Sequence, residues 1–383
     1  MEPLRLGVLA HSAKENERRL AIHPRHLERI DPDLLARMSL ETGYGERFGV
    51  SDDDLADHVG SMLDRSELIA NSDVLLVPKP LAHELAEFRE GQVVWGWPHA
   101  VQDEPMTQAA IDRRLTLIAF EAMNHWDGHG AFSLHVFHKN NEIAGYSSVL
   151  HALQLTGSTG HYGRSRRAVV IGFGATARGA VTALNALGIH DVDVLTVREV
   201  SAVASPIHSA RMVRLEHDAE DPAGSDAIVE GMAVPLVTFL AEHDIVVNCV
   251  LQDTGSPWMF VRRQDLGAFS PGSLFVDVSC DEGMGFDWAQ PTAFDDPMFE
   301  VVDGIHYYAV DHSPSLLWDA ATWEISEALL PYLATVLGGP DAWETDETIR
   351  RAIEIRDGVI QNPEILAFQQ RGTVYPHEPY DPR

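Results

Sequence analysis

Arg167-Ala-Val-Val-Ile-Gly172-Phe-Gly174-Ala175-Thr176-Ala177-Arg178-Gly179 is the stretch that decides the fold. Four apolar residues, Ala168 to Ile171, run into two glycines one residue apart and then into Ala-rich sequence with helical spacing. The pattern predicts a buried parallel strand, a tight turn and the first turn of a helix. Gly172 permits the turn and Gly174 lets backbone approach a pyrophosphate. The unpaired N–H groups at the helix start, around Ala175, Thr176 and Ala177, suit the anion. A G-x-G-x-x-A loop alone is weak evidence, because glycine pairs follow strands in many ordinary βα loops. A strand before it and a helix after it make the loop a dinucleotide site.

The next strand decides which dinucleotide. Asp193-Val-Leu-Thr196-Val-Arg198 reads as the second strand of the unit, ending about twenty residues past the glycines, where NAD sites usually carry an acid for the ribose hydroxyls. Here Thr196 and Arg198 stand instead. A hydroxyl and a guanidinium suit a 2′-phosphate, which a carboxylate would repel. The sequence therefore favours NADPH/NADP over NAD. The competing reading makes Arg198 a solvated loop residue and Glu199 the ribose acid. Further on, Val250 and Leu251 are expected to pack on the nicotinamide ring.

A chain of 383 residues is long enough for two domains, each with its own core. Hydrophobic content of 45% and charged content of 22% are those of a soluble globular protein. No apolar run reaches the length of a membrane span, and Met1-Glu-Pro-Leu-Arg lacks a signal peptide's apolar region. Cys249 and Cys280 sit in apolar runs without metal-ligand spacing, which predicts buried thiols, no metal site and a reducing cytoplasm. The net charge of −30, from 58 acidic and 28 basic residues, argues against nucleic acid and anionic membranes as partners. It does not identify a substrate.

Before residue 120 short apolar strands alternate with helical stretches: Leu4 to Ala10, Asp73 to Val77, Gln92 to Trp97 and Leu115 to Phe120 read as strands, and 24–30 and 105–114 as helices. This βα repetition predicts a second parallel sheet ahead of the nucleotide-binding one. The fold class is therefore α/β, with two Rossmann-like doubly wound parallel-sheet domains and a cleft between them. A helix from about Ala144 to Leu155 should connect them. We expect residues 1–140 and 306–383 to form a discontinuous catalytic domain, with 141–305 as the dinucleotide-binding domain. Residues 318–336 and 345–357 have helical periodicity. The Pro-rich tail from Gly372 reads as an extended or disordered arm.

Ligands bind at the carboxyl ends of parallel strands. Arg19 lies just after the first strand, Lys79 ends Val74-Leu-Leu-Val-Pro-Lys79, His99 follows Val93-Val-Trp-Gly-Trp-Pro, Glu121 caps Leu117-Ile-Ala-Phe, and Asp281 follows Val276-Asp-Val-Ser-Cys. Each alone has a plain explanation as a surface residue at a strand end. Together, an Arg, a Lys, a His and a carboxylate delivered to one rim make an oxo-acid site.

Those residues also carry a resemblance. Lys14-Glu…Glu17-Arg-Arg19-Leu-Ala-Ile-His-Pro24 is similar to the N-terminal signature of the alanine dehydrogenase/nicotinamide nucleotide transhydrogenase superfamily, which includes lysine-forming saccharopine dehydrogenase. Gly272-Ser-Leu-Phe-Val-Asp-Val-Ser-Cys-Asp281-Glu-Gly resembles its strand-loop with an Asp near the nicotinamide. Asp311-His-Ser-Pro-Ser-Leu-Leu looks more like the saccharopine branch. Trp95-Gly-Trp-Pro-His99-Ala-Val-Gln, Phe137-His-Lys-Asn-Asn-Glu-Ile-Ala-Gly145-Tyr and Asn248-Cys-Val-Leu-Gln-Asp253 resemble the N5-(carboxyethyl)ornithine synthase family in particular. Two departures stand out: Pro80 follows Lys79 where alanine dehydrogenases carry an acid, and Ala177 replaces the Gly of many relatives.

The resemblance implies a homo-oligomeric enzyme whose small-molecule substrates are a 2-oxo acid, such as pyruvate, and an amino acid with a side-chain amine, such as ornithine or lysine. They would condense to an imine that NADPH reduces to a secondary amine. It further implies that Arg19 holds the oxo-acid carboxylate, that Lys79 and His99 handle protons in either order, and that Asp281 faces the nicotinamide. Glu121 and Asp311 are candidates for holding the donor's charged end; His23 and His312 are weaker ones. An alanine-dehydrogenase-like enzyme using ammonia and a saccharopine-dehydrogenase-like enzyme using 2-oxoglutarate are the rival readings.

Overall fold

The computed structural model describes residues 3–198, 207, 209–217, 224–252 and 257–380. The chain divides into two compact units, Met1–Phe137 with Trp318–Arg383, and His138–Leu317.

The sheet of the first unit has, among the described residues, eight strands in the order Val359–Ile360, Ile353–Arg356, Thr116–Ala119, Val93–Gly96, Val74–Leu76, Leu6–Val8, Met38–Glu41 and Ser61–Leu63. From Thr116–Ala119 to Ser61–Leu63 every pairing is parallel. Continuous apolar runs form these strands because both faces are covered. Val74, Leu76, Val93 and Trp95 enter one core, while Leu75, Val77 and Val94 enter another on the opposite side. Chain order reverses between Leu6–Val8 and Val74–Leu76, the doubly wound arrangement in which ligands collect outside the carboxyl ends at the reversal.

The second unit has a nine-stranded sheet among the described residues. Its parallel centre runs Arg211–Glu216, Asp191–Thr196, Arg167–Ile171, Ile245–Asn248, Leu274–Asp277 and Ile305–Tyr308. Order reverses between Arg167–Ile171 and Ile245–Asn248. The helix His138–Leu155 packs backbone to backbone on the helix Ala175–Ala186. A Cβ on Gly179 would lie 1.7 Å from the Glu142 carbonyl oxygen, and one on Gly145 would lie 1.9 Å from that of Thr176.

Four expectations are corrected. The strand Ile305–Tyr308 joins the second sheet beside Leu274–Asp277, so residues 306–317, Asp311 among them, belong to the second unit rather than the first. The 318–336 helix is interrupted: Pro331 has no N–H to continue the ladder, and Leu330–Tyr332 tightens to a 3-10 turn between Trp318–Leu329 and Leu333–Leu337. The helix expected over 345–357 stops at Ala352, where the β-branched Ile353 and Ile355 pair with Ile118 and Leu117. The tail is held as far as it is described, since buried His377 accepts the Ile360 N–H on Nε2 at 3.1 Å.

Both cysteines are free thiols and half-buried. Among the described residues no helix is long and apolar enough to cross a membrane, and no group of three or more His, Cys, Asp or Glu could hold a metal ion.

Candidate active site

In the first unit, Lys79, His99 and Glu121 follow the carboxyl ends of three adjacent strands, Val74–Leu76, Val93–Gly96 and Thr116–Ala119. One sheet edge therefore places them side by side. The Lys79 carbonyl accepts the Ser12 hydroxyl, which ties it across the order reversal to the loop after the first strand. His99 adopts φ +50°, a left-handed conformation that a residue with a Cβ holds only where surroundings enforce it. The enforcing contact is visible. The His99 N–H donates to Glu121 Oε1 at 2.6 Å, and ring Nδ1 stands 3.9 Å from that same oxygen. The His99 side chain is itself 43% exposed, open to a ligand.

Glu121 does not behave as a surface acid. Burial first, and then the nearby Glu354 carboxylate, push its carboxyl well above the usual range; the His99 N–H and Lys79 pull the other way without prevailing.

Arg19 is buried, only 6% exposed. Its guanidinium meets Glu17 side-on, Nε to Oε1 at 2.8 Å and Nη2 to Oε2 at 2.5 Å, while its backbone N–H donates to Oε1 at 3.0 Å. It also lies over the Trp97 ring, 5.2 Å from the centroid, two residues before His99. The first unit thus brings Arg19 against the strand that carries His99. Glu17 is the partner that sequence reading overlooked. The signal was the Glu-x-Arg spacing within the quoted signature, where an acid two residues before a buried Arg is its natural counter-charge. His23 serves the fold instead. Its Nδ1 accepts the Arg25 N–H at 3.1 Å and caps the 3-10 helix Pro24–Arg29, and burial lowers its pKa.

In the second unit Gly172 takes φ +109°, and a Cβ there would lie 3.1 Å from the Cys249 carbonyl oxygen, on the neighbouring strand's exit loop. Gly174 begins the helix Ala175–Ala186 with no side-chain cap, and nothing lies within 4 Å of where its Cβ would be. Ala175, Thr176 and buried Ala177 occupy the first turn, whose N–H groups have no partner inside the helix. The open face, the tight turn and the uncapped helix start form a cradle that a pyrophosphate fits.

Thr196 is buried at the end of Asp191–Thr196 and its hydroxyl accepts the Arg198 N–H at 3.1 Å. Arg198 is exposed; Glu199, its rival for the ribose, lies outside the described residues. Val250 is half-buried, with its N–H on Asn248 Oδ1 at 3.2 Å. Leu251 is 93% exposed, so the described residues of this unit leave it uncovered.

Asp281 is half-buried, just beyond a residue the sequence reading passed over. Asp277 is fully buried and accepts the Tyr307 hydroxyl at 2.8 Å, Asn248 Nδ2 at 3.0 Å and the Ser279 N–H at 3.2 Å. Burial lifts its pKa to about 7 against the pull of these donors. It shapes the turn that presents Asp281, with Cys280 held at φ +60°. An Asp inside an apolar strand was the available signal. Asp311 pairs with the ring Nδ1 of buried His312, which packs edge-on to Phe294 at 4.8 Å. Asp311 therefore shares a unit with Asp281, not with Glu121.

Residues 7–144 match the family model for the alanine dehydrogenase/PNT N-terminal domain, and residues 152–363 that for the C-terminal domain. An alanine dehydrogenase of Mycobacterium tuberculosis is 24% identical over 379 residues, covering 93% of this chain and 94% of its own. An N(5)-(carboxyethyl)ornithine synthase of Clostridium botulinum is 23% identical over 335 residues, covering 85% and 92%. Among solved structures, an L-alanine dehydrogenase superposes with a TM-score of 0.74 over 95% of this chain and 99% of its own at 20% identity, a likeness of fold. A transhydrogenase from Sinorhizobium meliloti superposes with 0.72 over 93% and 99%, also at 20% identity.

Proposed function

The chain belongs to the alanine dehydrogenase/PNT family, and from that premise we propose that it catalyses NADPH-dependent reductive condensation of pyruvate, or a similar 2-oxo acid, with the side-chain amine of ornithine or lysine. The observation that carries this reading is the rim of the first unit, where Lys79, His99 and a Glu121 carboxyl anchored to the His99 backbone stand beside a buried Arg19.

The neutral amine of the donor attacks the ketone carbon. Arg19 orients the oxo acid through its carboxylate; Glu17 already shares that guanidinium, which holds its plane fixed before the ligand arrives. His99 gives a proton to the ketone oxygen and takes one from the adding nitrogen, which yields a carbinolamine; a second proton delivered to its hydroxyl lets water leave as the nitrogen lone pair forms the protonated imine. Lys79 polarises the same oxygen, and the two can exchange these roles. Glu121 holds the donor's remaining ammonium on the first unit. Asp281, presented by the Asp277 turn of the second unit, is a further candidate catalytic carboxylate, and Asp311 a further candidate for the donor's charged end. Nicotinamide nucleotide, when bound, supplies hydride to the imine carbon. The cradle of Gly172, Gly174 and residues 175–177 would hold its pyrophosphate, Thr196 and Arg198 its 2′-phosphate, and Val250 and Leu251 its ring.

A second reading, reduction of the imine formed with free ammonia, is supported by the names of the alanine dehydrogenase relatives. NADPH oxidation measured with pyruvate and either ammonium, ornithine or lysine separates the two. Turnover with ornithine or lysine and none with ammonium is the expected result; turnover with ammonium alone would replace this proposal by the dehydrogenase. Arg198→Ala is expected to weaken NADPH roughly 10-fold or more, as befits loss of a charge-assisted phosphate contact, and to leave NADH nearly unchanged. Equal losses in fluorescence titrations of the two nucleotides would return the ribose to Glu199.

A further inference from the structure

Glu354 lies on Ile353–Arg356, antiparallel beside Thr116–Ala119, the strand that delivers Glu121. The pairing slips at this point. Ile353 faces Ile118 while Ile355 faces Leu117, so two steps on one strand answer a single step on the other. Glu354 is the extra residue of a β-bulge, a device that re-aims side chains beside functional sites. Its effect shows in the packing: Ile353 and Ile355, which regular alternation would put on one face, enter cores on opposite sides of the sheet.

The bulge leaves a carboxyl inside the protein. Glu354 is 4% exposed; Oε1 accepts Asn362 Nδ2 at 3.2 Å, and Oε2 is buried with no hydrogen-bond partner among the described residues. The Glu121 side chain is 27% exposed, yet it repeats part of the pattern, with Oε1 on the His99 N–H and Oε2 buried without a partner among the described residues. Two such groups on neighbouring strands cannot both ionise cheaply, because each charge is desolvated and repels the other.

On the reading of this rim as the reaction site, we infer that Glu354 is a positioning residue that shares one proton with Glu121, so that the pair sets a single negative charge behind the His99 backbone. Lys79, the His99 ring and the His135 ring, whose Nε2 meets the Glu121 carbonyl oxygen at 3.3 Å, surround one end of the pair. Asn362 and Glu364 stand at the other. Burial raises both carboxyls, Glu354 to about 7, and the charge of Glu354 raises Glu121 further. With one proton the pair offers one charge to Lys79 or to the donor's ammonium. With two protons it offers none, and with no proton it buries two like charges.

The test is infrared titration of the full chain through its protonated-carboxyl band, in wild type, Glu354→Gln, Glu354→Asp and Glu121→Gln. The wild-type pair is expected to lose the band in two separated steps, the upper one at or above neutrality. Glu354→Gln and Glu121→Gln should each leave one step, lying about one pH unit or more below the upper wild-type step. Glu354→Asp should keep two. In kinetics, the acid limb of kcat/KM for the amino donor follows the lower step, where the pair takes up its second proton, so Glu354→Gln should leave that limb in place or move it to higher pH. An upper step unchanged in Glu354→Gln would overturn the inference. If that variant does not fold, the same loss or persistence in Glu121→Gln decides it. The infrared steps do not depend on turnover. Two steps without imine reduction would keep the pair and remove the reaction, whereas reduction with one unaltered step would do the reverse.

Discussion

His99→Ala is expected to lower kcat by about 10²–10⁴-fold, the usual contribution of a positioned acid-base group, while the Kd for NADPH stays within about twofold of wild type. The first part follows from placement. His99 is exposed at the carboxyl end of Val93–Gly96, and a left-handed backbone locked by Glu121 aims it there. A left-handed residue is a poor place for any side chain but glycine, so the conformation costs on the order of 1–3 kcal/mol. The hydrogen bond from its N–H to Glu121 holds it there. The second part follows from the nucleotide cradle belonging to the other unit. His99→Gly is therefore the informative companion: it relieves the backbone, is expected to be at least as stable as wild type, and should be as slow as the alanine variant. Stopped-flow measurement of a single turnover, with NADPH affinity by fluorescence, reads both quantities. Turnover within a factor of about three of wild type in either variant would take His99 out of the mechanism.

Arg19→Met is expected to destabilise the first unit by about 3–5 kcal/mol, because it strands the Glu17 carboxylate in a buried setting. The double variant Glu17→Gln with Arg19→Met, which removes both charges, should recover most of that loss in urea unfolding. It should not recover activity, since the guanidinium we propose for the oxo acid is gone. We expect kcat/KM for pyruvate to fall by about 10²-fold or more in the double variant, a loss of charge-assisted carboxylate binding. Recovery of both stability and kcat/KM would reduce Arg19 to a structural counter-ion of Glu17.

Placement was legible for some residues and not for others. Lys79, His99 and Glu121 could be placed together because a parallel sheet delivers the residue after each strand to one rim, and each strand showed as an apolar run. Asp311 could not be assigned to its unit. The short strand Ile305–Tyr308 looks the same whichever sheet it joins, and nothing local names Leu274–Asp277, itself legible as a strand, as its partner. Residues 347–356 carry both a helical and an alternating signal, and pairing with Thr116–Ala119 decided where one yields to the other. Asp277 and Glu354 were missed for one shared reason. A buried charged residue is explained by what surrounds it in space. For Asp277 and Glu354 that is Tyr307 and Glu121, which stand far away in the chain.

By itself the sequence determined two doubly wound parallel sheets and the glycine turn of one of them, since strand, turn and helix signals are local and steric. It also determined which residues leave the strand ends, because that follows from chain direction alone. Only tertiary structure decided what those residues meet: the bulge that buries Glu354 and the Glu121 oxygen that bends His99. Burial and long-range pairing set the electrostatics of such groups, and neither is encoded in any short window of residues.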